Sequence, residues 1–277
     1  MSEIGAPTAD AELNHVLHEL ISRSRAILGS QFVGAYLHGS FALGSWDVHS
    51  DVDFLIVVAQ PVTDAALAAL QIMHQQLYAL SSHWAQHLEG SYFPADWLRQ
   101  GSAERQPIPF LDNGSLMLVP SEHDDTLVVR WMVRERGITL AGPDPRTLID
   151  PLTPDALRRE VWAKMQWWAG LVLADPTMLD NRWDQPYLVL SFCRMLETIQ
   201  TGTVGSKPAA VAWAKRELGA AWADLVQRAW DERPFPSQKI RQPADRLELE
   251  RTLAFIPYAL SVGRRLMNEP DFSKSER

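Results

Sequence analysis

The chain has 277 residues, 46% hydrophobic and 22% charged, with a formal net charge of −8 and one cysteine. That length exceeds the usual span of a single hydrophobic core, and the composition excludes disordered and fibrous classes. The acidic balance argues against a nucleic-acid binder, lone Cys193 excludes an internal disulfide, and no apolar run is long enough to cross a bilayer.

Leu13, Val16, Leu17, Leu20, Ile21 and Ile27 recur at helical spacing, so a first amphipathic helix is predicted over 11–28, ended by Gly29. Val33 to Leu37 and Val52 to Val58 are short and β-branched, which reads as two strands around a glycine- and serine-containing segment, Gly39 to Ser50. Thr63 to His87 carries leucines at three- and four-residue steps and is predicted helical, with a further strand over 87–93. Pro94 to Ser121 reads as loops with one short strand at 116–119, and a helix follows over 126–136, capped by Asp124 or Asp125.

The proline-rich stretch from Gly142 to Pro154 breaks periodicity and places a domain boundary, giving domains of 1–150 and 151–277. Beyond it, 156–174, 185–201, 208–218, 220–231 and 244–267 all read as helices, so the second half is predicted all-α. Trp162, Trp167, Trp168 and Trp183 are assigned mostly to its core. Met1 to Asp10 lacks a basic-then-apolar leader pattern, and a cytoplasmic protein is expected.

The chemistry concentrates in H-G-S-F-A-L-G-S-W-D-V-H-S-D-V-D-F-L-I-V-V. Gly39-Ser40 is followed, ten residues on, by Asp51 and Asp53, which strand alternation puts on one face. Paired carboxylates repel unless a hard dication neutralises them, and Mg²⁺ favours a few carboxylates completed by water and substrate phosphates. Gly39 would let the backbone approach a phosphate, and Ser40 offers a hydroxyl and an N–H beside it. Downstream, Glu89 is a lone acid among strand formers, able to complete a metal site or accept a proton.

In this segment the chain resembles the DNA polymerase β-like nucleotidyltransferase superfamily. A narrower resemblance, to the bacterial streptomycin/spectinomycin adenylyltransferases, rests on L-H-G-S-F-A-L-G, H-S-D-V-D-F-L-I-V, L-E-G-S, I-T-L-A-G-P, V-L-S-F-C-R and T-G-T-V-G-S-K-P-A-A-V-A-W-A, in the family's order. It implies an α+β fold: a nucleotidyltransferase domain with a mixed sheet and helices, joined to a C-terminal helical bundle. It also implies AMP transfer from ATP to a hydroxyl of a cationic aminoglycoside-type acceptor, with pyrophosphate released, by a monomer.

On that resemblance Asp51, Asp53 and Glu89 would hold Mg²⁺, with Glu89 also the base and part of the acceptor site. Ser40, Ser50, Asp125, Lys207 and, more weakly, Arg194 would surround ATP, and Asp184 would meet the acceptor's amino groups. The pattern departs at the Phe110 to Ser115 loop, which lacks a stacking tryptophan, and at Trp230, where a tyrosine is expected. Taken alone, Lys207 reads as a solvated lysine, and Asp125 and Asp184 also fit helix capping. A nucleotidyltransferase acting on another small molecule, a protein or transfer RNA, or a non-catalytic nucleotide-binding regulator, are the alternatives. The acidic charge disfavours the RNA substrate, and retention of all three carboxylates disfavours the regulator.

Overall fold

A computed structural model of the protein describes residues 6–100 and 107–268. The chain divides into two compact units, Met1–Leu152 and Thr153–Arg277.

In the first unit, helix α1 (Ala11–Leu28) starts where the Asp10 side chain accepts from the Leu13 N–H, and buries the predicted stripe from Leu13 to Ile21 together with Ser24 and Leu28, while Ile27 is half-buried. Strand β1 (Phe32–Leu37) leads into a single helical turn, α2 (Gly39–Ala42), and then into β2 (Val52–Val58). Helix α3 (Asp64–Tyr78), capped by Thr63, crosses back to β3 (Leu88–Pro94), so β2 and β3 run parallel. The predicted long helix ends nine residues before His87, at Tyr78; Ser81 and Ser82 interrupt it, and a separate 3-10 turn, Trp84–His87, carries the chain into β3.

The segment read as loop is more ordered than its prolines suggested. It forms α4 (Ala95–Gln100), β4 (Ile108–Leu111) and β5 (Leu118–Ser121), while its residues 101–106 lie outside the described residues. Pro120 lies on the edge strand β5, where a missing N–H is tolerated, and faces Pro109 of β4, which precedes the β4 residues paired with β3, Phe110 and Leu111. Helix α5 (Leu127–Arg136) is capped by Thr126, whose hydroxyl accepts from the Val129 N–H, and not by Asp124 or Asp125. A further strand, β6 (Ile138–Ala141), pairs with β1, giving a mixed six-stranded sheet in the order β5-β4-β3-β2-β1-β6.

The apolar run of β2 is buried on both faces. Phe54, Ile56 and Val58 join the core built with α1 and α3, whereas Leu55 and Val57 pack with Phe93, Val129 and Val133 on the other side. Alternation places Asp51, Asp53, Glu89 and Ser91 toward this second face, at the ends where β2 and β3 begin.

The second unit is helical: α6 (Pro154–Ala174), α7 (Asp184–Thr201), α8 (Lys207–Glu217), α9 (Ala220–Glu232), a single turn α10 (Pro236–Lys239), and α11 (Arg246–Asn268). Helix α7 is central, packing against α6, α8, α9 and α11, and its Leu188, Val189, Phe192, Cys193 and Leu196 are buried. The buried stripe of α6 is Leu157, Val161, Met165, Ala169 and Val172. The four tryptophans, most of them expected in the core, lie at its margin: Trp167 is 56% exposed, and Trp162, Trp168 and Trp183 are half-buried. At these sites the apolar period ran through the smaller residues.

Candidate active site

The parallel pairing sets Asp53 of β2 beside Glu89 of β3 in register. Asp51 lies just before β2, two residues from Asp53 and so on the same side. Each of the three offers a carboxylate oxygen within 4.8 Å of the others, and all three are half-buried.

Gly39 serves this arrangement directly. Its φ is +60°, and a Cβ added there would stand 1.8 Å from Asp53 Oδ2. The glycine thus makes room for a carboxylate of the site, where the sequence suggested room for a phosphate. The preceding His38 N–H donates to the Asp53 carbonyl at 2.9 Å, stitching the turn after β1 to β2. The Ser40 hydroxyl is buried and has no hydrogen-bond partner among the described residues. Both ring nitrogens of His38, a residue 3% exposed, are in the same position. Buried polar atoms are normally satisfied, so these mark a place where water or a bound molecule completes the structure.

Burial first, and then the charges of Asp51, Asp53, Asp124 and Asp112, push the Glu89 carboxyl up to about 9. Burial likewise holds the His38 imidazole below its ordinary value, against the opposing pull of Asp124 and Asp51. Asp124, only 4% exposed, accepts from the Ser91 hydroxyl two residues beyond Glu89 and is a fourth carboxylate of the neighbourhood. His123 stacks on Phe110 and brings Nε2 to 3.6 Å from Glu89 Oε1. Sequence reading took Asp124 only as a candidate helix cap and passed over His123 and His38. Only the H of L-H-G-S, directly before the glycine, offered a signal.

Ser50 and Asp125 have occupations within the fold. The Ser50 hydroxyl accepts from the Asp47 N–H at 2.9 Å and closes the loop that delivers Asp51. The Asp125 carboxylate is buried against the Arg130 guanidinium, which also donates to the carbonyls of Leu98 and Trp97 and lies over the Phe93 ring. Such a fully bonded buried pair fixes α5 against β3 and α4.

In the helical unit, Asp184 is the first residue of α7 and not its cap. The Asn181 side chain caps the helix by accepting from the N–H groups of Trp183 and Asp184, and donates to Asp184 Oδ2 at 2.6 Å. Arg194 and Lys207, far apart in sequence, meet in one pocket together with Arg233, Trp183 and Tyr187. Tyr187 stacks on Trp183, and the Arg233 guanidinium covers Trp230 at 4.3 Å. Three cations beside flat aromatic surfaces suit an anionic group carrying a ring.

Two family models match the chain: the nucleotidyltransferase domain over residues 21–104, and the aminoglycoside adenylyltransferase C-terminal domain over residues 147–253. Among characterised proteins, the chain is 25% identical over 211 residues to a spectinomycin 9-adenylyltransferase of Staphylococcus aureus, covering 68% of this chain and 72% of that one. It is 24% identical over 271 residues to an aminoglycoside (3'') (9) adenylyltransferase of Rhizobium radiobacter, covering 91% and 95%. Among solved structures, the spectinomycin adenyltransferase AAD(9) from Enterococcus faecialis, crystallised with ATP and spectinomycin, superposes with a TM-score of 0.65 at 16% identity. That match covers 89% of this chain and 98% of the other, and it shows a shared fold.

Proposed function

Because the chain belongs to the aminoglycoside adenylyltransferase family, and so is an enzyme of the nucleotidyltransferase class, we propose that it moves AMP from ATP to a hydroxyl of a streptomycin- or spectinomycin-like acceptor. The observation that carries this reading is the clustering of Asp51, Asp53 and Glu89 at the starts of two parallel strands.

The cluster fits a hard dication. It consists of oxygen donors only, and burial, then the repulsion of Asp51 and Asp53, favours a proton on Glu89 that a bound dication would replace. Mg²⁺ held by Asp51, Asp53 and Glu89 would offset the charge of triphosphate oxygens. The Ser40 hydroxyl, at the turn beside Asp53 and left without a partner among the described residues, would donate to such an oxygen.

In the reaction, the acceptor oxygen forms a bond to the α-phosphorus as the bond from that phosphorus to the bridging oxygen breaks. Pyrophosphate departs with the electron pair, and the hydroxyl proton goes to Glu89. Without a cation, burial and the two aspartates keep Glu89 protonated; the charge of Mg²⁺ held there would favour the ionised carboxylate, the form that can take the proton. In the helical unit, the pocket of Arg194, Lys207 and Arg233 suits nucleotide phosphate. The Asp184 carboxylate, held by Asn181, suits an acceptor ammonium or guanidinium.

The test is pyrophosphate release by the purified protein with ATP, MgCl₂ and a panel including streptomycin and spectinomycin. Release that depends on a drug and falls by about 10²–10⁴-fold in Glu89→Gln, with Asp51→Asn also inactive, is expected. ATP binding with no drug modified would remove the proposed acceptor.

A further inference from the structure

Apart from the carboxylate cluster, histidines gather where the loop before β2 meets the 3-10 turn before β3. The rings of His83 and His87 lie with their centres 4.5 Å apart. His49 stands close enough to His83 for its charge to be felt there. The turn between the two strands brings them together: His83 and His87 are four residues apart, at the start and end of Trp84–His87, with Trp84 buried beneath.

Each ring of the pair is oriented by an oxygen acceptor. His87 Nδ1 lies 2.9 Å from Asn113 Oδ1, and since a carboxamide oxygen only accepts, His87 carries its proton on Nδ1 and presents a lone pair at Nε2. The Val48 carbonyl hydrogen-bonds the His83 ring in the same sense, which leaves that ring one nitrogen lone pair. Imidazoles that bind metals typically donate their second ring N–H to a carbonyl or carboxylate oxygen, which fixes tautomer and direction. Two imidazoles on one ion, with metal–nitrogen bonds of about 2.0–2.1 Å, place their ring centres roughly 4.5 Å apart at a right angle and about 5.2 Å at the tetrahedral angle. The observed separation falls at the lower end of that span.

We propose that His83 and His87 form a second metal site, selective for an imidazole-preferring divalent transition ion such as Zn²⁺, with water completing the coordination. Its donors are neutral nitrogens, whereas the carboxylate cluster offers hard oxygens, so the two sites sort ions by chemistry. Glu12 adds a negative charge beside the pair, its Oε1 accepting from the Ser82 hydroxyl at 2.6 Å and the His83 N–H at 3.1 Å. His83 is solvent-exposed, which gives an ion its entry. Burial and the proximity of His87 hold the His83 imidazole below its ordinary pKa, so little proton need be displaced at neutral pH. An ion here would tie three segments together: the Val48 loop leading to Asp51, the turn leading to Glu89, and the Asn113 turn after β4.

The test is calorimetric titration of the untagged full chain with ZnCl₂ in excess MgCl₂. One saturable Zn²⁺ per chain is expected, abolished in His83→Ala and in His87→Ala, weakened about tenfold in Asn113→Ala through loss of the orienting acceptor, and retained in Glu89→Gln. Circular dichroism checks each variant, and His83→Gln and His87→Gln replace any alanine variant that fails to fold. Zn²⁺ binding that survives loss of either histidine, ignores Asn113, or disappears in Glu89→Gln would overturn the proposal. Because Glu89→Gln lacks the proposed base, the zinc result stands or falls separately from the transferase reading.

Discussion

Glu89→Gln is expected to make the metal-free protein more stable at neutral pH while destroying its activity. The Glu89 carboxyl is raised from 4.5 to about 9, by burial and then by Asp51, Asp53 and Asp124. The folded state therefore holds a proton that the unfolded chain gives up, so this contribution to stability is complete below pH 4.5 and is lost as pH rises toward 9. At pH 7.5 the three-unit interval corresponds to at most about 4 kcal/mol. The side chain keeps 16% of its surface open to water, which reduces the expected loss to about 2 kcal/mol. Glutamine has the same shape and no charge to bury. In EDTA at pH 7.5 the variant should melt about 4–8 °C above wild type, and at pH 5 the two should nearly coincide. Added MgCl₂ should reverse the order at pH 7.5, because wild type gains a ligand-bound state that the variant holds poorly. Thermal unfolding at both pH values, with and without Mg²⁺, decides the matter. A variant no more stable than wild type in EDTA at pH 7.5, or one that gains as much from Mg²⁺, would refute the reasoning.

Gly39→Ala should cost about 1–2 kcal/mol for the left-handed backbone, and its methyl should displace the Asp53 carboxylate, weakening Mg²⁺ binding by at least about tenfold; Mg²⁺ titration followed by melting temperature reads both. Asp125→Ala strands the buried Arg130 guanidinium and should lower stability by about 3–5 kcal/mol in chemical denaturation. If Asp125 instead served nucleotide alone, stability would be unchanged and only ATP affinity would fall. Asp184→Asn removes a charge-assisted contact worth about 1.5–3 kcal/mol, so KM for a cationic acceptor should rise roughly tenfold to a hundredfold with KM for ATP unchanged, measured by pyrophosphate release.

The parts of the fold that were legible in the sequence are those whose signal is local. α1 and β2 announce themselves by spacing and β-branching, and the five long helices of the second unit begin and end within a few residues of their Pro, Gly and Asp markers. Strand β4 was not legible, because four residues with a proline among them, I-P-F-L, carry no periodicity of their own and become a strand only by pairing with β3 and β5. β6 had the same difficulty: I-T-L-A is short, and its strand character comes from lying along β1. The helix over 63–87 ran too long for the opposite reason, since the leucines that continue its period as far as Leu80 pack against the same core after the helix has ended.

The acidic cluster was readable because its members sit at fixed offsets on two strands that pair in register. Asp124 was not, since it reaches Ser91 from a loop whose course is set by β5 and α5. Gly39 shows a further step. The sequence presents G-S and D-x-D as two motifs separated by ten residues, the first suited to phosphate and the second to metal. The structure joins them, with the His38 N–H bonded to the Asp53 carbonyl and the space of the missing Cβ filled by Asp53 Oδ2. A side chain at position 39 would first disturb the Asp53 carboxylate, and only through it the triphosphate that the proposed function sets beside Ser40. The spacing between the motifs is thus the length of chain needed to leave β1, close the Asp47–Ser50 loop and return along β2 to the same point.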